Sequence, residues 1–310
     1  MEITFSNRIV ALAITVAIGA GTQALLPMTA TAAPAADAAG VRNEWLAGNT
    51  AGRGLRLEHG GAVADAIGKI FFTLGGTDFV CSGALVRSKH VDVVLTAAHC
   101  VSGGHGQWAT NWTFVPGYRN GAQPFGEYTA RKFFVSPKWT GPDGDSERYD
   151  VAFVQVTPAT LDGGSRVASP PAGLPVTFAR SQTAVPGRPV VLPKTYVFGY
   201  PALPPFSGNY ANYCAGASLV ARAGAARGAA ATACSMTAGD SGGPWLANFS
   251  PRGRASRNGA ANNVPNRAAI AAVTAYKLSG SMRTLYGTVL GPAARALYRA
   301  ATRVWHSIPR

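Results

Sequence analysis

From Ile67 onward the chain alternates short apolar runs with Gly, Pro and Asn breaks: Lys69–Leu74, Phe79–Val86, Val91–Ala97, Trp112–Val115, Val151–Val156, Val190–Phe198 and Ile270–Tyr276. Apolar runs this short, bounded by turn formers, predict strands of an antiparallel barrel or sandwich rather than alternating strands and helices. A Pro-rich interval, Ser169 to Pro189, divides the pattern into two halves of similar size. We therefore expect two β-barrels packed face to face, the first over about 67–168 and the second over about 185–290. The period changes only near the end. Pro292, with Ala293, Leu297, Ala300 and Val304 at three-to-four spacing, predicts a C-terminal helix over about 292–305, lying on the second barrel.

The first 66 residues do not share this pattern. Arg8, the apolar run Ile9 to Ile18, the breakers Gly19 and Gly21, and Ala30-Thr31-Ala32 form the three regions of a secretory signal peptide over 1–32. The apolar run is shorter than the ~20 residues of a membrane-spanning helix, so stable membrane insertion is not expected. Residues 33–66 are rich in Ala, Gly and polar side chains and read as a leader or pro-segment ahead of a folded domain over 67–310. The expected destination is extracellular.

An oxidising destination changes the reading of the cysteines. Cys81 and Cys100 fall in the first half and Cys214 and Cys234 in the second, and four cysteines allow three pairings. We expect the local one, which closes two loops of about 20 residues, each contributing about 3 kcal/mol through chain entropy. No C-x-x-C pair or clustered histidine supports a metal site, so none is expected. The formal charge of +14 comes mostly from scattered arginines, with one short cluster at Arg252, Arg254 and Arg257. Aromatic and basic residues do not interleave as they do on nucleic-acid-binding sheets, so no nucleic-acid partner is expected. Asp143, Asp145 and Glu147 crowd one stretch but fit no full calcium pattern, and read as an exposed acidic turn.

Candidate chemistry sits at three places. Gly239-Asp240-Ser241-Gly242-Gly243-Pro244 surrounds a serine with backbone freedom. A serine hydroxyl needs a base to become nucleophilic and donors to hold the oxyanion it creates; the amides of Gly239 and Ser241 are the natural donors. Leu95-Thr96-Ala97-Ala98-His99-Cys100 closes an apolar run with an imidazole, and Tyr149-Asp150-Val151-Ala152 opens another with an acid. An acid leading into a buried strand demands a partner, and a histidine base needs an acceptor to fix its tautomer. His59, His90, His105 and His306 lack the strand and cysteine context of His99.

The TAAHC, D-V-A and GDSGGP segments, in this order, resemble the trypsin-like (chymotrypsin-fold) serine peptidases. Looser stretches, Ile67–Phe72, Cys81–Val86, Val115–Tyr118, Phe198–Pro201 and Cys234–Thr237, resemble the bacterial secreted branch that holds the glutamyl-endopeptidase-like enzymes, over roughly residues 67 to 300. The resemblance implies two six-stranded barrels, an acyl-enzyme mechanism with catalytic His99, Asp150 and Ser241, no cofactor, protein or peptide substrates, and a monomer. Many members of that branch carry Ser before the nucleophile, whereas this chain has Asp240. The resemblance also places Ser235 at the floor of the substrate pocket, with Val273, Thr274, Ala275 and Tyr276 as its wall. A neutral floor disfavours Lys or Arg, and Val273 stands where glutamate-specific relatives have histidine. Cleavage after an uncharged residue is expected, with Tyr276 narrowing the pocket. An ester-directed acyl hydrolase and a silent binding homologue are the alternatives.

Overall fold

The computed structural model describes residues 49–58, 61–89, 92–142, 144–157, 171–179, 191–221, 228–249, 268–278 and 283–303. The expected signal peptide, the arginine cluster at 252–257, and His59, His90 and His306 lie outside the described residues.

A short strand β1 (Leu55–Arg56) and one helical turn α1 (Ala62–Ala66) precede β2 (Ile67–Leu74), β3 (Thr77–Val86) and β4 (Val93–Thr96). A small ribbon, β5 (Ser102–Gly104) and β6 (Gln107–Trp108), is followed by β7 (Thr110–Pro116), β8 (Tyr128–Val135) and β9 (Ala152–Val156). The first barrel closes in the order β2-β3-β4-β9-β8-β7, antiparallel throughout. Alternation along the strands turns Ile70, Phe72, Leu95, Phe114, Tyr128 and Val154 out of solvent.

The second barrel uses β10 (Val191–Gly199), β11 (Asn212–Val220), β12 (Ala230–Ala233), β13 (Pro244–Ala247), β14 (Ala269–Tyr276) and β15 (Thr284–Val289). Its order is β11-β10-β13-β14-β15-β12, and β12 pairs back onto β11 to close it. Strand β1 extends the same edge of β11, with Leu55 opposite Tyr213 and Arg56 opposite Asn212. Trp245 fills the interior, its indole N–H donating to the Thr274 hydroxyl at 3.0 Å.

Two features fix one barrel on the other. Within the connecting interval, Leu174 bridges Val86 of the first barrel and Val176 bridges Ile270 of the second. The helix α2 (Pro292–Ala301) begins at the expected proline but packs on the first barrel, not the second. Tyr298 lies 5.5 Å from the rings of both Phe153 and Phe178, and Gln155 donates to the Ala301 carbonyl at 2.9 Å. The reason is local. Leu290 accepts the Ala179 N–H at 2.8 Å, so the chain leaves β15 beside the connector, which leads it across to β8 and β9.

Candidate active site

His99 stands on a single 3-10 turn, Ala98–Cys100, directly after β4. Asp150 stands two residues before the first residue of β9, and the pairing of Thr96 with Ala152 sets these two strand ends side by side. Their side chains meet at two points: Asp150 Oδ2 lies 2.7 Å from His99 Nδ1, and Oδ1 accepts the His99 backbone N–H at 2.9 Å. With Nδ1 committed as the donor, Nε2 is the free basic nitrogen. Burial pulls the His99 pKa down, but the charge and hydrogen bond of Asp150, helped by Glu147 and Asp240, outweigh it and raise the pKa above the ordinary 6.5.

Ser241 reaches the same place from the second barrel. Its carbonyl accepts the Ser82 N–H at 2.7 Å and lies 3.8 Å from Cys100 Sγ, next to His99. Ser82 does more: its hydroxyl donates to Gly239 O at 2.7 Å and accepts the Tyr200 N–H at 2.8 Å, joining the Ser241 loop to both barrels. Among the described residues no hydrogen bond joins Ser241 Oγ to His99, a contact that often tightens only with substrate.

The loop around Ser241 depends on its glycines. Gly239 has φ +100°, and a Cβ there would stand 2.6 Å from Tyr200 O; Gly242 has φ +78°, with Thr96 Oγ1 at 2.1 Å. Turned this way, the loop commits Gly242 N–H to Thr274 O and Gly243 N–H to Asp240 O. The amides of Gly239 and Ser241 donate to no acceptor among the described residues, so two N–H groups remain beside the serine.

The other expected residues divide. Ser235 has both polar groups engaged: its N–H donates to Gly52 O at 2.8 Å and its Oγ accepts from Gly54 N–H at 3.0 Å. Thr274 turns its hydroxyl to Trp245 and, through its backbone, ties β14 to the Ser241 loop. Val273 is buried opposite Pro244. Tyr276 stacks on Tyr286, with centroids 5.4 Å apart and planes within 11°.

Three groups at the site carry no motif that singles them out. Tyr286 is one. Glu147, expected on an exposed turn, is only 7% exposed; its carbonyl accepts from Thr288 Oγ1 and from Asp150 N–H, and its charge acts on His99 and Tyr276. Asp145 on the same turn is the exposed one, paired with Arg148. Lys277 donates to Cys234 O at 2.9 Å and acts electrostatically on Asp240. Asp240 is buried, which pushes its carboxyl up to about 7 against the pull of Lys277.

The cysteines pair locally, Cys81 with Cys100 and Cys214 with Cys234. Among the described residues one group of candidate metal ligands stands out, Cys81, His99 and Cys100. Its two sulfurs are spent on each other, so the donor set does not fit a metal ion.

The family model described as trypsin-like peptidase domain matches residues 81–250, more than half of the chain, including His99, Asp150 and Ser241. The chain belongs to that family. This trypsin-like chain is similar to the solved structure of the protease Anisep from Arthrobacter nicotinovorans, at 32% identity over 78% of this chain and 97% of that one, with a TM-score of 0.62. It is also similar to the thermostable serine protease AL20 from an extremophilic microorganism, at 28% identity over 77% and 97%, with a TM-score of 0.61. A curated relative, an extracellular metalloprotease of Bacillus subtilis, is 30% identical over 107 residues; the match spans 34% of this chain and 33% of that protein. Among the described residues no helix is long and apolar enough to cross a membrane.

Proposed function

We propose that this trypsin-like chain is a secreted serine endopeptidase in which Ser241 is the nucleophile, His99 the general base and acid, and Asp150 the group that orients and stabilises the imidazole. The observation that carries the reading is the two-point clasp of His99 by Asp150, set beside a serine loop with two uncommitted amides. Ser241 Oγ attacks the peptide carbonyl carbon as Nε2 takes its proton, and the carbonyl oxygen becomes an oxyanion held by the amides of Gly239 and Ser241. The C–N bond then breaks, the proton passes from Nε2 to the amine, and an ester to Ser241 remains. Water, deprotonated by the same nitrogen, hydrolyses that ester.

Substrate choice follows from the pocket groups. Ser235 offers no charge, and Tyr276, on the expected wall of the pocket, stacks on Tyr286. We infer preference for small or medium uncharged residues before the scissile bond. Two disulfides suit an extracellular destination.

A fluorophosphonate probe on the secreted protein tests the chemistry. Labelling at Ser241, lost in Ser241→Ala with folding intact, is expected, together with faster turnover of casein than of simple esters. Absence of labelling in the folded parent overturns the nucleophile assignment. Ester turnover without casein turnover makes the chain an esterase.

A further inference from the structure

Residues 33–66, read from sequence as a removable leader, include a stretch that is built into the second barrel. Thr50 N–H donates to Ala215 O at 2.9 Å, and Ala215 N–H donates back to the Thr50 hydroxyl at 3.2 Å. Leu55 and Arg56 pair with Tyr213 and Asn212, and Leu57 N–H donates to Ala211 O at 2.8 Å. Between these anchors Gly52 O and Gly54 N–H take both polar groups of Ser235. Thr50 is 3% exposed, and a Cβ on Gly54 would stand 2.7 Å from the Phe206 ring and 2.9 Å from Met236 Cγ. A detachable leader needs none of this fit.

The rest of the segment from Cys234 to Asp240 is held with equal care. Cys214 bonds Cys234 covalently, and Lys277 holds its carbonyl. Thr237 Oγ1 exchanges hydrogen bonds with the Leu203 backbone, Ala202 N–H donates to Ala238 O, and Ser82 holds Gly239 O. Ser235 is held in this run by the segment that precedes the first barrel. The start of the first barrel, by contrast, is unsuited to being a cut end. Ile67 is 1% exposed, its N–H donates to Val63 O, and Val63 and Ala66 are buried beneath it.

We propose that residues Asn49–Glu58 stay in the mature enzyme as a strap that positions Ser235 and the floor of the substrate pocket, so that the site assembles without a new amino terminus at Ile67. Maturation then ends at or before Asn49. Asp240, in turn, has an in-chain cation, Lys277, acting on it. The proposal rests on the endopeptidase reading, and Ser235 and the strap residues act as positioning groups rather than on the reacting atoms.

The test joins amino-terminal sequencing of the active secreted enzyme with kinetics of Gly54→Val and Thr50→Val in the full chain. Labelling of the parent at Ser241 is the prior check; its failure sinks the endopeptidase reading and not the strap. We expect the active species to begin at or before Asn49. Gly54→Val should raise KM for peptides at least tenfold and Thr50→Val about threefold, while a small fluorophosphonate, which does not fill the pocket, labels Ser241 within twofold of the parent rate. Gly54→Ala should fall between Gly54→Val and the parent. If Gly54→Val fails to fold, Thr50→Val and the sequencing decide. A fully active species that begins after Glu58, or parent KM values in the folded variants, overturns the proposal.

Discussion

At the residue scale, His99 is placed between a burial that disfavours its charge and an acid that favours it, and the acid wins. As the proposed base, His99 works only when neutral, so activity should rise with pH along a limb whose apparent pKa lies above the ordinary histidine value. Glu147→Gln removes one of the charges that hold the proton and should move that limb to lower pH, with kcat on the plateau changed less than threefold; a kcat–pH profile reads both. Asp150→Asn should lower kcat by about 10⁴-fold, because the imidazole is then held in the wrong tautomer. The stability sign is the opposite of the activity sign. A histidine whose folded pKa is raised stabilises the fold fully below its unfolded pKa and loses that contribution as pH rises through the folded value. His99, Asp150 and Ser241, the groups of the proposed mechanism, were legible as candidates because each sits in a short local motif. Glu147 was not, since it is one of three acids at alternate positions, and the 3-10 turn and the Thr288 contact bury it rather than Asp145.

At the scale of elements, the strands easiest to foresee were those with continuous large apolar runs, such as β2, β3, β9, β10 and β14. The middle of β11, residues 214–218, and all of β12 are built from Cys, Ala, Gly, Ser and Thr, whose side chains give no periodic signal, and β8 carries Arg131 and Lys132 through its middle. Besides Tyr213, packed against Tyr196 and Phe198, β11 is held by its neighbours: β10 on one edge, β1 and β12 on the other, and the Cys214–Cys234 bond to the segment that leads to Ser241. That bond closes a separation of 20 residues, so converting both cysteines to alanine should lower unfolding stability by about 3 kcal/mol, measured by denaturant titration. Peptide KM should rise in the same variant, as Ser235 adjoins Cys234. The Cys81–Cys100 bond is closer to the base, and its loss should show mainly in the labelling rate of Ser241.

At the scale of the whole molecule, the two-barrel division was readable from the Pro-rich interval, but the crossing of the termini was not. No periodicity tells a helix which barrel it will cover; that followed from the route of the chain beside the connector. Deleting the chain from Pro292 onward should therefore destabilise the first barrel rather than the second, exposing Phe153 and Phe178 and leaving Gln155 without the Ala301 carbonyl. Hydrogen exchange resolved by strand checks this: faster exchange in β8 and β9 than in β13 and β14 is expected.

The strap at one end and the helix at the other also impose an order in time. Residues 49–58 find their partners only when 211–215 and 235 have been made, and the first barrel receives its cover only when the chain reaches Ala301. Contacts between such distant parts of a sequence form slowly, because a long loop must close before they can form. A nascent chain thus carries His99 and Asp150 before either the strap's partners or Ser241 have been made. If Ser241 is the nucleophile, as proposed, the strap's partners, which end at residue 235, are made before it, and the helix that covers the first barrel arrives last.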